Sequence, residues 1–514
     1  MAKLGLALLT SVLLTCSLPP FDWGWIAWVA LVPLLVACHG STAAQATGLG
    51  FLSGFGAVCG ALSWIFEVPA FGIHHFLLLG GYLALYPALW CLGLAYLKRF
   101  DIVTAIPPAA LWVILDYVRA HAGFLAFPWG TLAHTQHDHL AVLQVATVTG
   151  EYGVTFLVVL GSTAIAGIIT RRARVSAIVA LLLIGLVHST GILALNTGHA
   201  ERTLRVAAVQ PSIPVGGHAT GADRLVNFRL LERLTVAAAV SHPSLIAWPE
   251  TAIAGNLRAD PLLASDLQAI VQELGVPLVL GVSEVEKFAA RDHLGEIRRR
   301  AYNSAYFFSP NAALSAPYHK RYLLPFGEYA PFEGMVTWPA WVGGRGYDRV
   351  AGEGPRVFAL PDGTPFSTLI CWESLFSDLS RESVMAGARL LVQLNNPAWF
   401  GHSAAGAQQN LSSVLRAVEN RVPIVVASNT GPSQVIDPHG RIVASSSSIF
   451  TVDMVAGQVP LGESGTVYTR MGDVFVWGLV ALVSLAAWPG LAWNRMTLWA
   501  LKWHRQRSLE QPLN

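Results

Sequence analysis

Charged residues are scarce in this chain. Only 12% of its 514 residues are Asp, Glu, Lys or Arg, and the formal net charge at pH 7 is +2. A balance so close to neutrality offers no basic surface for nucleic acid, so we predict no nucleic-acid partner. The hydrophobic fraction is 53%, with 17 Trp and a mean hydropathy of +0.50, which is typical of a membrane protein.

Several common sequence features are missing as well. The chain contains no glycine-rich loop of the kind that cradles phosphate, no internal repeat and no low-complexity linker. We therefore predict no cofactor. Cysteine is rare, and four of the five cysteines, Cys16, Cys38, Cys59 and Cys91, lie in apolar segments, where we expect them to act as small hydrophobic residues.

Long hydrophobic runs, in contrast, are abundant. Eight segments come close to the ~20 residues that cross a bilayer as a helix: 4–18, 24–38, 47–66, 74–97, 103–119, 153–170, 175–195 and 474–497. We predict a transmembrane domain of seven spans at 1–200, a polar domain at 201–472, and a final span with a basic cytoplasmic tail at 473–514. A lipoprotein signal cleaved before Cys16 is an alternative, but further spans follow at once, which favours an uncleaved anchor.

Positive charges predict the orientation of these spans. With eight spans the basic residues fall on one side of the membrane: Lys3, Lys98 with Arg99, Arg171 to Arg174, and Lys502 to Arg507. Because Lys and Arg near span ends prefer the cytoplasm, we expect the polar domain to lie outside the cytoplasmic membrane. An unpaired thiol there is a liability unless it is buried or reactive, which singles out Cys371 in "LICWESLF".

The polar domain alternates strand-like with helix-like segments. Strands are predicted at "LRVAAVQPSI", "SLIAWPET", "VPLVLGVSE", "SAYFFS", "STLICWES", "RLLVQLNNPAWF" and "VPIVVASNTG", and a hairpin at "VIDPHGRIV". Helical periodicity marks residues 223–240, 264–274, 378–387 and 404–420. This pattern predicts a layered α/β sandwich.

Three side chains of the polar domain form a chemically complete set. Glu250 follows "LIAWP", Lys320 lies in "YHKRYLLPFGEY", and Cys371 follows "STLI". Taken singly, each has an ordinary explanation: a surface carboxylate, a solvated loop lysine and a small buried residue. Together they supply a base with a pKa that burial can raise, a cation for an oxyanion, and a thiol nucleophile. The set predicts acyl transfer through a thioester.

The order and spacing of these residues resemble the nitrilase superfamily, whose Glu, Lys and Cys lie in an αββα sandwich. The surrounding segments are similar to the bacterial apolipoprotein N-acyltransferase family: "AWPE", "HKRYLLPFGEYAPF", "CWES", "NNPAWFG", "RAVENRVPIVVASNTG" and "YTRMGD" in the polar domain, and "LPPFDWGWIAWVALVPLL", "FPWGTLAHTQ" and "GEYGVTF" before it. The resemblance covers nearly the whole chain.

The resemblance implies a two-step reaction. An acyl chain moves from the sn-1 position of a phospholipid, chiefly phosphatidylethanolamine, to Cys371, and then to the α-amine of the diacylglyceryl-modified cysteine of an apolipoprotein. It also implies that Glu328 lies near Lys320, where it orients the lysine or supports Glu250, and that Glu373 lines the site beside the nucleophile. A purely structural ion pair is the alternative for either glutamate. Nothing in the sequence suggests an obligate partner chain, so we expect a monomer.

Other residues are candidates for gating or substrate binding. Trp338 and Trp341 in "MVTWPAWVGG" belong either to the core or to a mobile arm at the membrane interface, where Trp is favoured. Trp399 in "PAWFG" is a candidate second lip of the same entrance. Three further residues either position substrate or hold loops: Tyr329, Asn395 and Asn429.

One loop between spans carries zinc-type ligands, His134, His137, Asp138 and His139. Because no matching general base accompanies them, we predict a wet interfacial loop and no metal. Asp116 and Arg119 are predicted to pair at the membrane surface.

Two other functions remain open. A membrane-tethered amidase or nitrilase would use water as acceptor, but it would need neither the Trp-rich segment nor so many spans. A transporter is disfavoured by the scarcity of ionisable residues deep in the spans.

Overall fold

The computed structural model describes residues 1–69, 71–97, 105–170, 174–196, 202–216, 220–291, 297–311, 314–332, 335–336, 348–462 and 465–485. Trp338 and Trp341 lie outside the described residues, and so does the end of the last predicted span.

The first part of the chain is helical. Its helices are α1 (Ala2–Cys16), α2 (Ala27–Ala30), α3 (Val32–Cys38), α4 (Ala43–Ala61), α5 (Ile73–Leu97), α6 (Ile106–Ala120), α7 (Leu140–Leu143), α8 (Ala146–Thr149), α9 (Glu151–Ile169) and α10 (Arg174–Asn196). In the described part, α5, α9 and α10 are long and apolar enough to cross a membrane. Shorter apolar helices cover Ala2–Cys16, Gly24–Cys38, Leu140–Thr149 and Val474–Leu485. The predicted apolar helices are therefore present, while the number of spans stays a prediction.

The polar domain contains two mixed β-sheets. Its strands are β1 (Thr203–Gln210), β2 (Leu245–Ala247), β3 (Ile253–Ala254), β4 (Leu278–Arg291), β5 (Ile297–Phe308), β6 (Tyr318–His319), β7 (Asp348–Arg349), β8 (Val357–Ala359), β9 (Pro365–Ile370), β10 (Leu390–Asn395), β11 (Ile424–Ser428), β12 (Gln434–Ile436), β13 (Ile442–Ser445) and β14 (Asp453–Pro460). The first sheet has the order β14-β1-β2-β4-β5-β6, with β3 beside β4 and β7 beside β5. The second has the order β13-β12-β11-β10-β9-β8.

The helices of this domain cover the outer faces of the two sheets. They are α11 (Gly221–Ala239), α12 (Pro261–Leu274), α13 (Ser377–Met385) and α14 (Ala405–Asn420), while the short α15 (Val467–Met471) packs against α8, α13 and α14. Val206 and Val392 belong to the core between the sheets, whereas their neighbours Ala207 and Leu391 face the helices. This period-two alternation places apolar residues on both faces of each sheet. The layered α/β sandwich predicted from the sequence is present.

One continuous core joins the second sheet to the helices of the first part of the chain. The cluster that contains Val158 of α9 and Leu143 of α7 also contains Val414 and Val418 of α14. Helix α14 is therefore covered on both sides, and all but one of its residues are buried.

The structure corrects the prediction for the histidine loop. His134 and Gln136 are completely buried, and His137 is 8% exposed. Gln136 accepts a hydrogen bond from Trp28 (2.8 Å) and donates one to the carbonyl of Gly24 (2.9 Å). The prediction of a wet loop was wrong for these residues, because they are buried in contact with the segment that contains Gly24 and Trp28. The predicted pair of Asp116 and Arg119 is confirmed, with 3.1 Å between charged atoms.

Candidate active site

Cys371 lies at a sharp turn at the end of a parallel strand. Strand β9 ends at Ile370, and a 3₁₀ turn (Cys371–Leu375) follows. Cys371 has a φ of +57°, in the left-handed region that costs a non-glycine residue roughly 1–2 kcal/mol. Burial raises the pKa of its thiol, and the backbone N–H of Trp372 lowers that pKa by a smaller amount. A nucleophile in such a turn is held by the surrounding fold against local strain, which is common at functional sites.

Glu250 approaches the site from the first sheet. It follows β2 and is only 8% exposed. The side-chain amide of Asn303, on β5, donates to Glu250 Oε1 at 2.7 Å and to Glu328 Oε1 at 3.4 Å. Gly281 permits the close approach of β4 to this turn, because a Cβ there would lie 2.6 Å from the Glu250 Cα.

Lys320 is held at the edge of the same sheet. It follows β6, is 1% exposed, and its Nζ lies 2.8 Å from Glu328 Oε2. Its backbone N–H donates to the carbonyl of Asn303 at 2.8 Å. Glu328 also accepts a bond from the backbone N–H of Leu324 (2.8 Å) and lies 3.8 Å from Arg349. Glu328 therefore lies against Lys320, as the resemblance implies.

The charges of these groups act on one another. Burial raises the pKa of Glu250, and the nearby Lys320 opposes that rise in part. Burial also raises the pKa of the Cys371 thiol, with a further rise from Glu250 and a lowering by Lys320. Burial lowers the pKa of Lys320, but Cys371, Glu328 and Glu250 outweigh it and the net shift is upward. For Glu328 the pKa falls, because Lys320 and Arg349 outweigh burial. At neutral pH the site thus holds a neutral thiol and a lysine cation.

Glu373 binds main-chain groups on both sides of the site. It is fully buried, and its carboxylate accepts bonds from the backbone N–H groups of Arg321 (2.7 Å), Tyr322 (3.1 Å) and Ile370 (2.8 Å), and from the Tyr318 hydroxyl (2.9 Å). These bonds join the residues after Lys320 to the residue before Cys371. The structure therefore gives Glu373 a positioning contact, and its direct role in the site stays a prediction.

The remaining candidates have structural contacts in the described residues. The Asn395 side chain is bonded to Gln393 (3.0 Å) and Asn410 (3.3 Å), and that of Asn429 to both backbone polar groups of Ile213 (2.9 and 2.7 Å). Tyr329 is partly buried and Trp399 is 49% exposed. Roles of these four residues in substrate binding or gating stay predictions.

An apolar cluster connects Cys371 to the apolar helices of the first part of the chain. It combines, from the first part of the chain, Leu62, Trp64, Ile65, Phe76, Leu83, Ala126 and Trp129 and, from the polar domain, Leu369, Trp372, Leu375, Phe376, Leu379 and Ala405. Cys371 packs against this cluster, which we call the bridging cluster. The thiol therefore lies where the sandwich meets the apolar helices.

Metal-type ligands converge at one place outside this site. In the ranges that the structure describes, atoms of Asp22, His137 and Asp138 lie within 4.8 Å of one another. His137 Nε2 is 3.4 Å from Asp22 and 3.3 Å from Asp138. None of these three residues belongs to the candidate active site.

Sequence reasoning missed Asn303. It contacts Glu250 and Glu328 and also binds the main chain of Lys320. The signal was a buried amide in the otherwise apolar stretch "AYNSAYFF", since a polar residue inside a buried strand needs a specific partner.

Family models match both parts of the chain. A family model described as the apolipoprotein N-acyltransferase N-terminal domain matches residues 10–164, and a carbon-nitrogen hydrolase model matches residues 205–468. The chain is 35% identical to an apolipoprotein N-acyltransferase of Geobacter metallireducens, with 96% of each chain covered. It is 28% identical to that of Vibrio vulnificus, with 98% of this chain and 96% of the relative covered. Among solved structures, an amidase from Nesterenkonia sp. AN1 is 17% identical with a TM-score of 0.38, covering 53% of this chain and 98% of its own.

Proposed function

The chain belongs to the apolipoprotein N-acyltransferase family, and we propose that it moves an acyl chain from a phospholipid to the N-terminal diacylglyceryl-cysteine of a lipoprotein through a thioester on Cys371. Family membership makes it an N-acyltransferase with a lipoprotein acceptor. One observation carries the finer proposal: Glu250 and Lys320 are buried beside a thiol that packs against the bridging cluster.

In the first step Glu250 accepts the proton of the Cys371 thiol, and the thiolate attacks the sn-1 ester carbonyl of a phospholipid such as phosphatidylethanolamine. The Lys320 ammonium and the backbone N–H of Trp372 stabilise the oxyanion that forms. When this intermediate collapses, the ester C–O bond breaks and Glu250 returns the proton to the lysophospholipid. The acyl chain stays on Sγ as a thioester.

In the second step the α-amine of the diacylglyceryl-cysteine attacks the thioester carbonyl. Glu250 takes a proton from the amine, the C–S bond breaks, and the Cys371 thiolate leaves and regains the proton. The products are a triacylated lipoprotein and the free thiol. A raised pKa suits Glu250 to this exchange, because a group that both takes and returns a proton works best with a pKa near the working pH.

The position of the thiol supports lipid substrates. Extracting an acyl chain into water costs about 0.8 kcal/mol per CH₂, and a nucleophile beside apolar helices avoids that cost. A pocket of about 120 Å³ lies between the helices, lined among others by Leu62, Leu83 and Trp129 of the bridging cluster. Its lining therefore shares residues with the cluster against which Cys371 packs.

The proposal includes a topology. The enzyme would cross the bacterial inner membrane eight times, as a monomer, with domains at 1–200, 201–472 and 473–514 and with the sandwich on the periplasmic side. The apolar helices and the basic segments at their predicted cytoplasmic ends support this arrangement.

The test is transfer of a labelled acyl chain from phosphatidylethanolamine to a synthetic diacylglyceryl-cysteine peptide in detergent micelles. Cys371→Ser, Lys320→Met and Glu250→Gln should each abolish transfer, while Cys16→Ser, which changes a thiol in α1, should transfer normally. Release of free fatty acid without acylated peptide would instead indicate a hydrolase. Transfer by the Cys371→Ser variant at the wild-type rate would overturn the proposed mechanism.

A further inference from the structure

A group of charged side chains is buried at the junction of the membrane helices and the sandwich, away from the reacting atoms. Arg416 of α14 is completely buried, with its guanidinium 2.9 Å from Glu151, the first residue of α9, and 3.1 Å from Glu419. The backbone N–H of Glu151 donates to Glu419 at 2.7 Å, so a carboxyl group of α14 also caps the start of α9. The Arg416–Glu151 pair crosses the junction, and removal of Glu151 would leave the buried guanidinium without this partner.

A second contact fixes the other end of α14. The side-chain amide of Gln408 donates to the carbonyls of Pro19 (2.7 Å) and Ala61 (2.9 Å). Its oxygen accepts bonds from the indole N–H groups of Trp64 (3.0 Å) and Trp129 (2.9 Å). All four partners belong to the helical first part of the chain. Gln408 and Arg416 are two helical turns apart, about 12 Å, so α14 is held at two separate points.

Between these two points α14 contacts the turn that carries the nucleophile. Ser412 donates to Ser374 at 3.1 Å, and Ser374 also accepts a bond from Gln393 at 2.7 Å. Gln393 in turn donates to the backbone carbonyl of Cys371 at 3.5 Å and is bonded to Ser413. A continuous set of contacts therefore runs from the membrane helices through α14 to Cys371.

We propose that α14 is the element through which the membrane helices position the nucleophile, with Gln408 and the Arg416–Glu151 pair as positioning residues. This inference rests on the proposed function, since it concerns the acylation of Cys371. The membrane helices then do more than anchor the sandwich: they set where the Cys371 turn lies relative to Glu250 and Lys320, which come from the other sheet. A displacement of about 1 Å at a reacting centre can slow a reaction by roughly 100-fold.

The test is a single-turnover acylation of the full-length enzyme by phosphatidylethanolamine, followed by intact-protein mass spectrometry. Gln408→Met keeps the side-chain volume and removes all four bonds, and Glu151→Gln keeps the shape and removes the charge. A matched control is Gln268→Met, which removes one bond from α12 to the carbonyl of Ser309, within the sandwich. The amplitude of adduct formation reports the fraction of enzyme that is correctly folded. The rate constant of adduct formation reports the geometry of the site in each folded molecule.

We expect the acylation rate constant to fall at least tenfold in Gln408→Met and in Glu151→Gln. The amplitude of adduct formation and the KM for phospholipid should stay within about twofold of the wild type in both variants. In Gln268→Met the rate constant should not change. A loss of amplitude with an unchanged rate constant would show a purely structural role and overturn the inference. If Gln408→Met does not fold, Glu151→Gln decides by the same criterion. Absence of an adduct on the wild type would refute the proposed function itself, a result that is distinct from either outcome for the variants.

Discussion

Replacement of Glu373 by Gln tests how the two halves of the site are held together. The carboxylate receives bonds from three backbone N–H groups and one hydroxyl and lies in a fully buried position. Its partners are all donors, so the ionised form fits although burial raises its pKa. In Glu373→Gln the new NH₂ group must face a backbone N–H in either orientation of the amide, because each oxygen accepts at least one backbone bond.

The expected loss of stability is about 3 kcal/mol. A hydrogen bond to a charged group contributes roughly 1.5–3 kcal/mol, and a buried donor left without a partner costs about 1–3 kcal/mol. For a domain of this size, 3 kcal/mol corresponds to a fall of roughly 6–12 °C in melting temperature. Acylation of Cys371 should slow as well, because the broken bonds join the segment after Lys320 to the residue before Cys371.

Thermal unfolding in detergent micelles measures this change. Glu382→Gln is the matched control, because its carboxylate pairs with Arg321 but is 45% exposed, and we expect a change within about 0.5 kcal/mol. If Glu373→Gln melts within 1–2 °C of that control and acylates at the wild-type rate, the positioning contact assigned to Glu373 is wrong.

Three further predictions concern the environment of Glu250 and the buried junction. Gly281→Ala should reduce the rate of Cys371 acylation more than tenfold, because the added Cβ would lie 2.6 Å from the Glu250 Cα. Gly354→Ala, where the added Cβ enters open space, should leave the rate unchanged. Equal rates for the two variants would contradict the effect expected of Gly281→Ala. Asn303→Ala removes a hydrogen bond that lowers the pKa of Glu250, so the pKa of Glu250 should rise. Because activity needs ionised Glu250, the rate should begin to fall at a higher pH in this variant as the pH is lowered. An unchanged acid limb of the pH–rate profile would refute this role of Asn303. Burial raises the pKa of Glu419 to about 8, so the folded state keeps a proton that the unfolded state has lost, and the free energy of unfolding should decline as pH rises from about 4.5 to 8. In thermal unfolding, the decline should be smaller for Glu419→Gln. An identical dependence of melting temperature on pH in the variant and the wild type would show that Glu419 does not cause the decline.

The sequence predicted those parts of the fold that depend on local pattern. Short apolar runs predicted the strands before Glu250 and Cys371, and helical periodicity predicted α14. The resemblance added the proximity of Glu328 to Lys320, which the 2.8 Å contact confirms. A local pattern sufficed for these strands and this helix, because the period of apolar residues depends only on the residues of one segment.

Contacts between distant parts of the chain were not predictable in this way. His134 lies in a polar stretch, yet its Nε2 is 3.6 Å from Glu151, which also pairs with Arg416, a buried residue far away in the sequence. Likewise Gln408 is an ordinary polar residue of a helical pattern, and only tertiary packing brings it to the indoles of Trp64 and Trp129. The polar face of an amphipathic helix normally meets solvent, and α14 departs from this rule because a second, apolar domain covers it.

Intact-protein mass spectrometry of the wild type and of Cys371→Ser, before and after addition of phosphatidylethanolamine, is the direct test of a thioester on Cys371. We expect a hydroxylamine-labile adduct of one acyl chain on the wild type, its absence from the variant, and its loss when a diacylglyceryl-cysteine peptide is added. Turnover of phospholipid by a wild-type enzyme that carries no adduct, or an adduct that persists in the presence of the peptide while acylated peptide accumulates, would contradict a thioester on Cys371 as the intermediate.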